Sequence, residues 1–323
     1  MLSRTADHLF WMARYVERAE NTARMLNVNV ETALLPQPAT FVEQIWRATL
    51  SISELQDLFE AKGRPVNQKE VLDFMVRDPN NPSSIASCLH HARENAKAVR
   101  GVLTSEVWET HNATWLRLQE YLQDGLYPHD PGQFFEWVKY RSHLSRGVTL
   151  GTMLKDEALH FIRLGTFLER ADNTARLIDV KFHGMPRNSE SNPGDPNTLE
   201  STPVDFYYWT SLLRSVSGFE IYRKVYRDVI APNRVAELLM LHPQMPRSLI
   251  ACLEEVVDNL SQLSNNSSQE TERLAGKLHA ELKFARIEEI LEAGLHDYLT
   301  GFLEKIYEIG NGITRSFLMP LNA

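Results

Sequence analysis

The sequence predicts an all-α protein of about twelve helices, arranged in two duplicated halves related by a pseudo-twofold axis. Three observations support this prediction. Apolar residues recur at spacings of three and four along most of the chain, which is the period of an amphipathic helix. The chain has 15 glycines and 15 prolines among its 323 residues, below the usual combined share of about 12%. The two halves of the sequence also align with each other at nearly constant offsets.

The predicted helices follow one another between proline-containing connections. In the first helix Leu9, Met12 and Val16 begin an apolar stripe that continues to Leu26. No proline interrupts such a periodic run, as expected because proline breaks the interior of a helix. The prediction places helices at 5–33, 41–61, 68–77, 83–103, 105–124, 133–150, 154–182, 204–229, 232–241, 247–263, 268–292 and 294–317.

The duplication is visible as pairs of similar segments. HLFWMARYVERAENTARMLNV begins at His8, and HFIRLGTFLERADNTARLIDV begins 152 residues later. PSSIASCL begins at Pro82, and PRSLIACL begins 164 residues later, which places Cys88 opposite Cys252. Two copies of a helical unit normally pack about a pseudo-twofold axis. We therefore expect such an axis here.

The predicted halves are residues 1–150 and 151–323, packed into one compact unit. The second half contains a polar segment at 184–203, GMPRNSESNPGDPNTLESTP, which is rich in Asn, Ser, Pro and Gly. A segment of this kind is either a surface excursion or a lid or partner-docking loop, and the sequence leaves both open.

Composition and charge disfavour several classes of protein. The net charge is −8, and no cluster of Lys and Arg stands out, so we expect no nucleic-acid binding, which requires a positive surface. There is no run of about 18 apolar residues, so we expect no membrane association. The N-terminal segment lacks a signal-peptide cleavage site. Cys88 and Cys252 lie in apolar helical runs, so we expect buried, reduced thiols and a cytoplasmic location.

A repeated Glu-Arg pair lies in the first helix of each half. Glu17 shares a helical face with polar residues three, four and seven positions later, whereas Arg18 points elsewhere, because adjacent helical residues diverge by about 100°. Apolar residues otherwise surround both helices, which indicates buried helices that carry a polar patch. The candidate site residues are Glu17, Arg18, Glu20, Asn21 and Arg24 in the first half, and Glu169, Arg170, Asp172, Asn173 and Arg176 in the second.

Two roles fit these polar patches. One is an internal salt-bridge network that fixes the register of the two halves, since buried charges are costly unless they are paired. The other is a pocket that presents Arg to an anionic ligand, such as a carboxylate or phosphate, and Glu to an amine. In both cases the small residues Ala19, Ala23, Ala171 and Ala175 predict that the two helices pack closely and bring the patches into one central region.

A secondary polar cluster, Arg93, Glu94 and Asn95, lies on the fourth predicted helix. The aligned positions of the second half keep Asp258 and Asn259 but have Val where the first half has Arg93. Any chemistry of this cluster is therefore expected in the first half alone.

Familiar catalytic and cofactor signatures are missing from the sequence. It contains no G-x-G-x-x-G, no G-x-x-x-x-G-K-[ST], no H-E-x-x-H and no G-x-S-x-G. Glu157 and His160 have the E-x-x-H spacing of di-iron helix bundles, but Thr5 stands at the aligned position of the first half, and such sites need two of these motifs. We expect neither a metal nor a cofactor.

Taken together, the motifs resemble the Alpha-E family, a domain of unknown function with a conserved ER motif. The resemblance rests on the opening MLSRTADHLFWMARYVERAENTARML, the ER pairs at 17–18 and 169–170, ARENAKAVR from Ala92 and SEVWETHN from Ser105. It spans essentially the whole chain. It implies an all-helical bacterial protein encoded beside a circularly permuted ATP-grasp ligase and a transglutaminase-like peptidase, in a peptide-synthesis or peptide-tagging system.

Two functions follow from this resemblance and from the residues. The first is a noncatalytic helical partner or acceptor-presenting subunit of an ATP-grasp-type peptide or amide ligase, with that ligase and a transglutaminase-like protein as partners. The second is an enzyme that binds and processes a peptide-like or amino-acid ligand through its Glu and Arg clusters. The lack of a nucleophile, metal or phosphate-loop signature favours the first.

Overall fold

Helices account for all of the regular secondary structure in the part of the chain that the structure describes. The computed structural model describes residues 1–35, 39–123, 126–183 and 203–319, and these contain no strand. The all-α prediction is confirmed. The predicted polar segment at 184–203 lies outside the described residues, except for Pro203, with which a helix begins.

The helices are shorter and more numerous than the sequence predicts. Those before residue 153 are α1 Ser3–Ala33, α2 Ala39–Ile52, α3 Gln56–Glu60, α4 Gln68–Arg77, α5 Ile85–Ala98, α6 Ser105–Gln123, α7 Leu126–His129 and α8 Pro131–Thr152. Those after it are α9 Glu157–His183, α10 Pro203–Ser215, α11 Phe219–Tyr226, α12 Pro232–Leu241, α13 Leu249–Gln262, α14 Gln269–Lys283, α15 Ile287–Ala293 and α16 Leu295–Ile313, which continues into a π-helical turn at Thr314–Leu318.

Left-handed residues explain two of the extra helix ends. Glu54 separates α2 from α3 with a φ of 54°, and Ser217 separates α10 from α11 with a φ of 53°. Non-glycine residues rarely adopt this conformation, so the continuous helices predicted at 41–61 and 204–229 are each interrupted. The predicted helix at 268–292 also divides, because α14 ends at Lys283 and α15 begins at Ile287.

Helices in the second part of the chain begin at regular distances from helices in the first. The starts of α5 and α13, of α6 and α14, and of α8 and α16 are each 164 residues apart. Two of these helices also share a cap: the side chain of Ser84 accepts a hydrogen bond from the backbone N–H of Ser87, and Ser248 accepts one from Ala251. Such caps satisfy a backbone donor that the first helical turn leaves free.

The two ER-containing helices, α1 and α9, lie side by side at the centre of the fold. α1 packs on α9, α5 and α8, and α9 packs in addition on α13 and α16. Residues 19–29 of α1 are all buried, as the apolar surroundings of the ER motif predict. The predicted proximity of the two ER helices is confirmed, and Ala19, Ala23, Ala171 and Ala175 are fully buried. No helix in the described ranges combines the length and apolarity needed to span a membrane.

α1 and α9 approach each other closely at Gly165. A Cβ atom built at this residue would lie 2.2 Å from the carbonyl oxygen of Phe10 and 3.2 Å from the Cβ of Ala13. Real Cβ atoms do not approach a backbone oxygen so closely, so any side chain here would force the two helices apart. Gly165 therefore sets the distance across which the ER residues meet.

We expect Gly165→Ala to lower the free energy of unfolding by about 2 kcal/mol or more, because overpacking a tight helix contact shifts the backbone. Urea denaturation followed by circular dichroism measures this change. Gly147→Ala is the matched control, since Gly147 is also helical but has no atom within 4 Å of the added Cβ. It should leave stability unchanged or raise it by up to about 1 kcal/mol. Equal stabilities of the two variants would contradict the close approach.

Candidate functional site

Glu17 and Glu20 of α1, both predicted as site residues, are the most deeply buried charged side chains among the residues that the structure describes. Glu17 is 1% exposed and Glu20 is 0% exposed. Carboxylates at such depth are costly unless several donors satisfy them. Each of these two accepts hydrogen bonds from arginines on other helices or connections.

Glu17 binds arginines from three parts of the chain. Arg170 of α9 donates from Nε and Nη2 to the two oxygens of Glu17, both at 2.9 Å. Arg247, just before α13, donates from Nη1 at 2.9 Å. Arg146 of α8 donates from Nη1 at 3.1 Å. The bidentate contact with Arg170 directly joins the first ER helix to the second.

Glu20 lies one turn further along α1 and shares two of these arginines. Arg24 donates from Nε to Glu20 at 2.8 Å within the same helix. Ser142 donates from its hydroxyl at 2.6 Å, and Arg146 and Arg247 also donate to this carboxylate. Glu17 and Glu20 thus belong to one buried network.

The second ER pair repeats the contact in the opposite direction. Arg18 of α1 donates from Nε and Nη2 to the two oxygens of Glu169, at 2.6 and 3.1 Å. Arg14 adds a hydrogen bond from Nε at 2.8 Å. The ER motifs therefore contact each other reciprocally, Arg18 with Glu169 and Arg170 with Glu17.

The remaining candidate residues are divided between this network and its surroundings. Asn21 accepts a hydrogen bond from Arg247 at 2.7 Å and so belongs to the network. Asp172 and Arg176 instead pair with each other, at 2.8 and 3.0 Å, and Arg176 also pairs with Glu54. The Glu-Arg pairs of the two patches thus meet in one central region, whereas Asp172 and Arg176 bind each other and are 24% exposed. Asn173 is partly buried.

The secondary cluster forms a separate group of local contacts. Arg93 pairs with Glu94 and donates from Nε to Asn112 at 3.1 Å. Asn95 contacts Nδ1 of His8 at 2.7 Å. Its aligned counterpart Asn259 contacts Nδ1 of His160 at 2.8 Å, so the two aligned segments make the same kind of contact.

The sequence analysis missed the two arginines that complete the central network, Arg146 and Arg247. A signal for each was present in the segments that align. Arg247 stands opposite Ser83 in the PRSLIACL and PSSIASCL segments, and Arg146 stands opposite Asn311 beside the aligned Gly-Val-Thr and Gly-Ile-Thr motifs. The positions at which the two halves differ in charge, rather than those at which they agree, would have indicated these residues.

The arginines keep the central carboxylates charged. Burial alone would raise the pKa of Glu17, because the charged form loses its hydration. The guanidinium groups of Arg170 and Arg247 outweigh this effect and hold the pKa of Glu17 below its ordinary value. At Glu169, burial is likewise outweighed, chiefly by Arg18, and the pKa falls to about 2. Both carboxylates are therefore weak proton acceptors at neutral pH.

The two thiols are free and buried, as the sequence predicts. Burial raises the pKa of Cys88 and of Cys252 to about 12. Because the thiolate is the reactive form, neither residue is an activated nucleophile. Within the described ranges, no three His, Cys, Asp or Glu residues are grouped so that they could hold a metal ion.

A cavity of about 130 Å³ lies beside the network, among α1, α6, α8 and α9. Glu17, Arg146, Arg163 and Arg170 are its charged lining residues, and His111, Ser145, Thr149 and Thr166 also line it. Most of its remaining surface is apolar. Of the two ER glutamates, Glu17 therefore borders the cavity and Glu169 does not.

A family model and mycobacterial relatives match the chain. A family model described as a predicted alpha-helical domain with a conserved ER motif matches residues 1–318. Uncharacterized proteins of Mycobacterium bovis and Mycobacterium tuberculosis are 23% identical to this chain over 98% of its length. The match covers 37% of those relatives, so the chain spans little more than a third of their length. No solved structure matches the chain.

We expect Glu17→Gln to lower the free energy of unfolding by about 3–5 kcal/mol, because it leaves buried guanidinium groups without their counter-charge. Arg146→Gln should cost less, since other arginines still bind both glutamates. Chemical denaturation of the two variants measures the difference. Glu292→Gln at the surface serves as the control and should change stability by less than about 0.5 kcal/mol. A Glu17→Gln protein as stable as the wild type would contradict a buried, charged Glu17.

The free energy of unfolding should fall as the pH drops from about 4.5 towards 2. The folded pKa of Glu169 is about 2, below its ordinary 4.5, so its charged form stabilises the fold above pH 4.5 and this contribution is lost on acidification. The loss from Glu169 is on the order of 3 kcal/mol. Urea titrations across this pH range should show a smaller slope for Glu169→Gln than for the wild type. An identical pH dependence would contradict the assignment.

Proposed function

The chain belongs to the Alpha-E family, and from this premise we propose that it is a noncatalytic helical partner or acceptor-presenting subunit of an ATP-grasp-type peptide or amide ligase. The observation that supports the noncatalytic role is the reciprocal pairing of the ER motifs. Glu17 and Glu169 each accept a bidentate contact from an arginine of the opposite helix. Carboxylates engaged in this way hold helices together and are poor general bases.

The length of the relatives supports a role beside another protein. In the mycobacterial proteins the matched region makes up 37% of the chain, so there the helical unit is covalently attached to further sequence. A domain that is attached to further sequence in its relatives commonly works next to that neighbour. The ligase itself, and a transglutaminase-like protein as a further partner, come from the family resemblance.

The proposal includes the duplication predicted from the sequence, with halves at 1–150 and 151–323 and a pseudo-twofold axis between them. Three features support it: the repeated 164-residue distance between helix starts, the reciprocal ER contacts, and the paired contacts of His8 with Asn95 and of His160 with Asn259. The two free thiols support a reducing compartment, and hence a cytoplasmic protein.

The alternative is an enzyme that binds and processes a peptide-like or amino-acid substrate. The observation in its favour is the cavity that Glu17, Arg146 and Arg170 border. The observation against it is that three arginines bind Glu17, because a carboxylate engaged in this way is a poor general base. The two functions differ in a simple result, since only the enzyme turns over a substrate without the ligase.

The test of the partner role is copurification with the ATP-grasp protein encoded beside this one, followed by ATP-turnover assays with and without this chain. We expect a complex and a change in the ligase's turnover. The isolated chain should hydrolyse neither ATP nor peptides. Robust turnover by the isolated chain would overturn the noncatalytic role, and no interaction with the ligase would overturn the partner role.

A pair of variants separates a structural ER motif from a directly acting one. Glu169→Met should lower the melting temperature, because it leaves Arg14 and Arg18 facing an apolar group. The double variant Arg18→Met with Glu169→Met should recover part of the loss, since apolar replacement of both members of a buried ion pair is often tolerated and only Arg14 then lacks its carboxylate partner. If the pair is structural, the double variant also affects the ligase as the wild type does. A stable double variant that no longer acts on the ligase would assign these residues a direct role.

A further inference from the structure

The central network carries more positive than negative charge. Among the residues that the structure describes, four arginines donate to the carboxylates of Glu17 and Glu20. These are Arg24, Arg146, Arg170 and Arg247. Two carboxylates balance only two guanidinium groups, so the network has an excess of two positive charges. The chain as a whole has a net charge of −8, which makes this local excess the reverse of the protein's average.

An excess of buried cations is costly unless an anion neutralises it. Arg170 and Arg247 are each 8% exposed, whereas Arg146 is 27% exposed. Arg146 is therefore the member of the network that an anion from solvent reaches most easily. Arg146 and Arg170 both line the cavity among α1, α6, α8 and α9, so the excess charge borders an accessible space.

Arg146 has donor capacity to spare. Its Nη1 donates to Glu17, Glu20 and Ser142, and its Nη2 contacts Nδ1 of His143 at 2.7 Å. Its Nε has no hydrogen-bond partner among the described residues. A guanidinium group carries five N–H donors in a planar fork. The edge formed by Nε and Nη2 thus retains N–H donors for a second, bidentate acceptor such as a carboxylate.

The rest of the cavity is suited to a small apolar group. Met12, Val16, Leu159, Ile162 and Phe167 line it. Its volume of about 130 Å³ is close to that of an engineered protein cavity of about 150 Å³ that binds benzene. A cavity of this size accepts one ring or one branched aliphatic side chain, next to the charged side formed by Arg146.

We propose that this cavity binds a small carboxylate that carries one apolar group, such as a hydrophobic amino acid or the C-terminal residue of a peptide. The carboxylate contacts Arg146 at the polar side of the cavity, and the apolar group lies among the side chains of α1 and α9. The site needs no ligase, so this inference stands or falls separately from the proposed partner role.

Phenylacetate and its neutral analogue phenylacetamide are suitable probes, because they share a ring and differ in charge. Calorimetric titration of the intact chain at neutral pH and low salt should give a dissociation constant for phenylacetate at least about tenfold lower than for phenylacetamide, since charge-assisted bidentate contacts are strong. Phenylacetate should also raise the melting temperature, as any ligand of the folded state does. Equal affinities, or no saturable binding of either compound, would overturn the proposal.

Three variants localise the binding. Arg146→Gln should remove the preference for phenylacetate over phenylacetamide. Ser145→Leu places an apolar side chain at the cavity lining and should abolish binding of both compounds, which keeps the test valid if Arg146→Gln folds poorly. Lys139→Gln removes a positive charge from the same helix outside the cavity and should bind like the wild type. Unchanged binding by Ser145→Leu would place the probe elsewhere and contradict the proposed site.

Discussion

The reciprocal ion pairing of the two ER motifs is the constraint on which the rest of the structure depends. Arg170 with Glu17, and Arg18 with Glu169, cross-link the two central helices in both directions. Buried ion pairs contribute little net stability, because the desolvation of the charges offsets their attraction, but an unpaired partner is strongly destabilising. Pairing therefore selects one register of α1 against α9. The absence of a side chain at Gly165 allows the helices to approach closely in that register.

The central network also contains residues that differ between the segments of the sequence that align with each other. Arg247 aligns with Ser83, and Arg146 aligns with Asn311. Both arginines donate hydrogen bonds to the carboxylates of Glu17 and Glu20. Among the described residues, neither arginine donates one to Glu169. The additional positive charge is thus concentrated at one of the two ER glutamates, and the same glutamate borders the cavity.

The sequence predicted the parts of the structure that depend on local pattern or repetition. Helical period predicted the all-α class, and the surrounding apolar residues predicted that the ER helices are buried and adjacent. It could not predict the breaks at Glu54 and Ser217, because neither residue favours a left-handed conformation strongly enough to be recognised from sequence. The contact of Arg146 with the network depends on how α8 packs on α1, and the sequence indicates this residue only through its difference in charge from the aligned Asn311.

The packing of α8 on α1 also explains why two ion pairs with the same helical spacing differ in burial. Asp172 and Arg176 have the spacing of Glu20 and Arg24, yet they remain a partly exposed pair because no arginine equivalent to Arg146 reaches them. Glu20 instead lies between arginines of several elements and loses its contact with water. Identical spacing within a helix therefore produces a partly exposed ion pair in α9 and part of a buried, positively charged network in α1. The excess of positive charge in that network lies beside a mostly apolar cavity among α1, α6, α8 and α9, and this juxtaposition is the basis for the proposed ligand site.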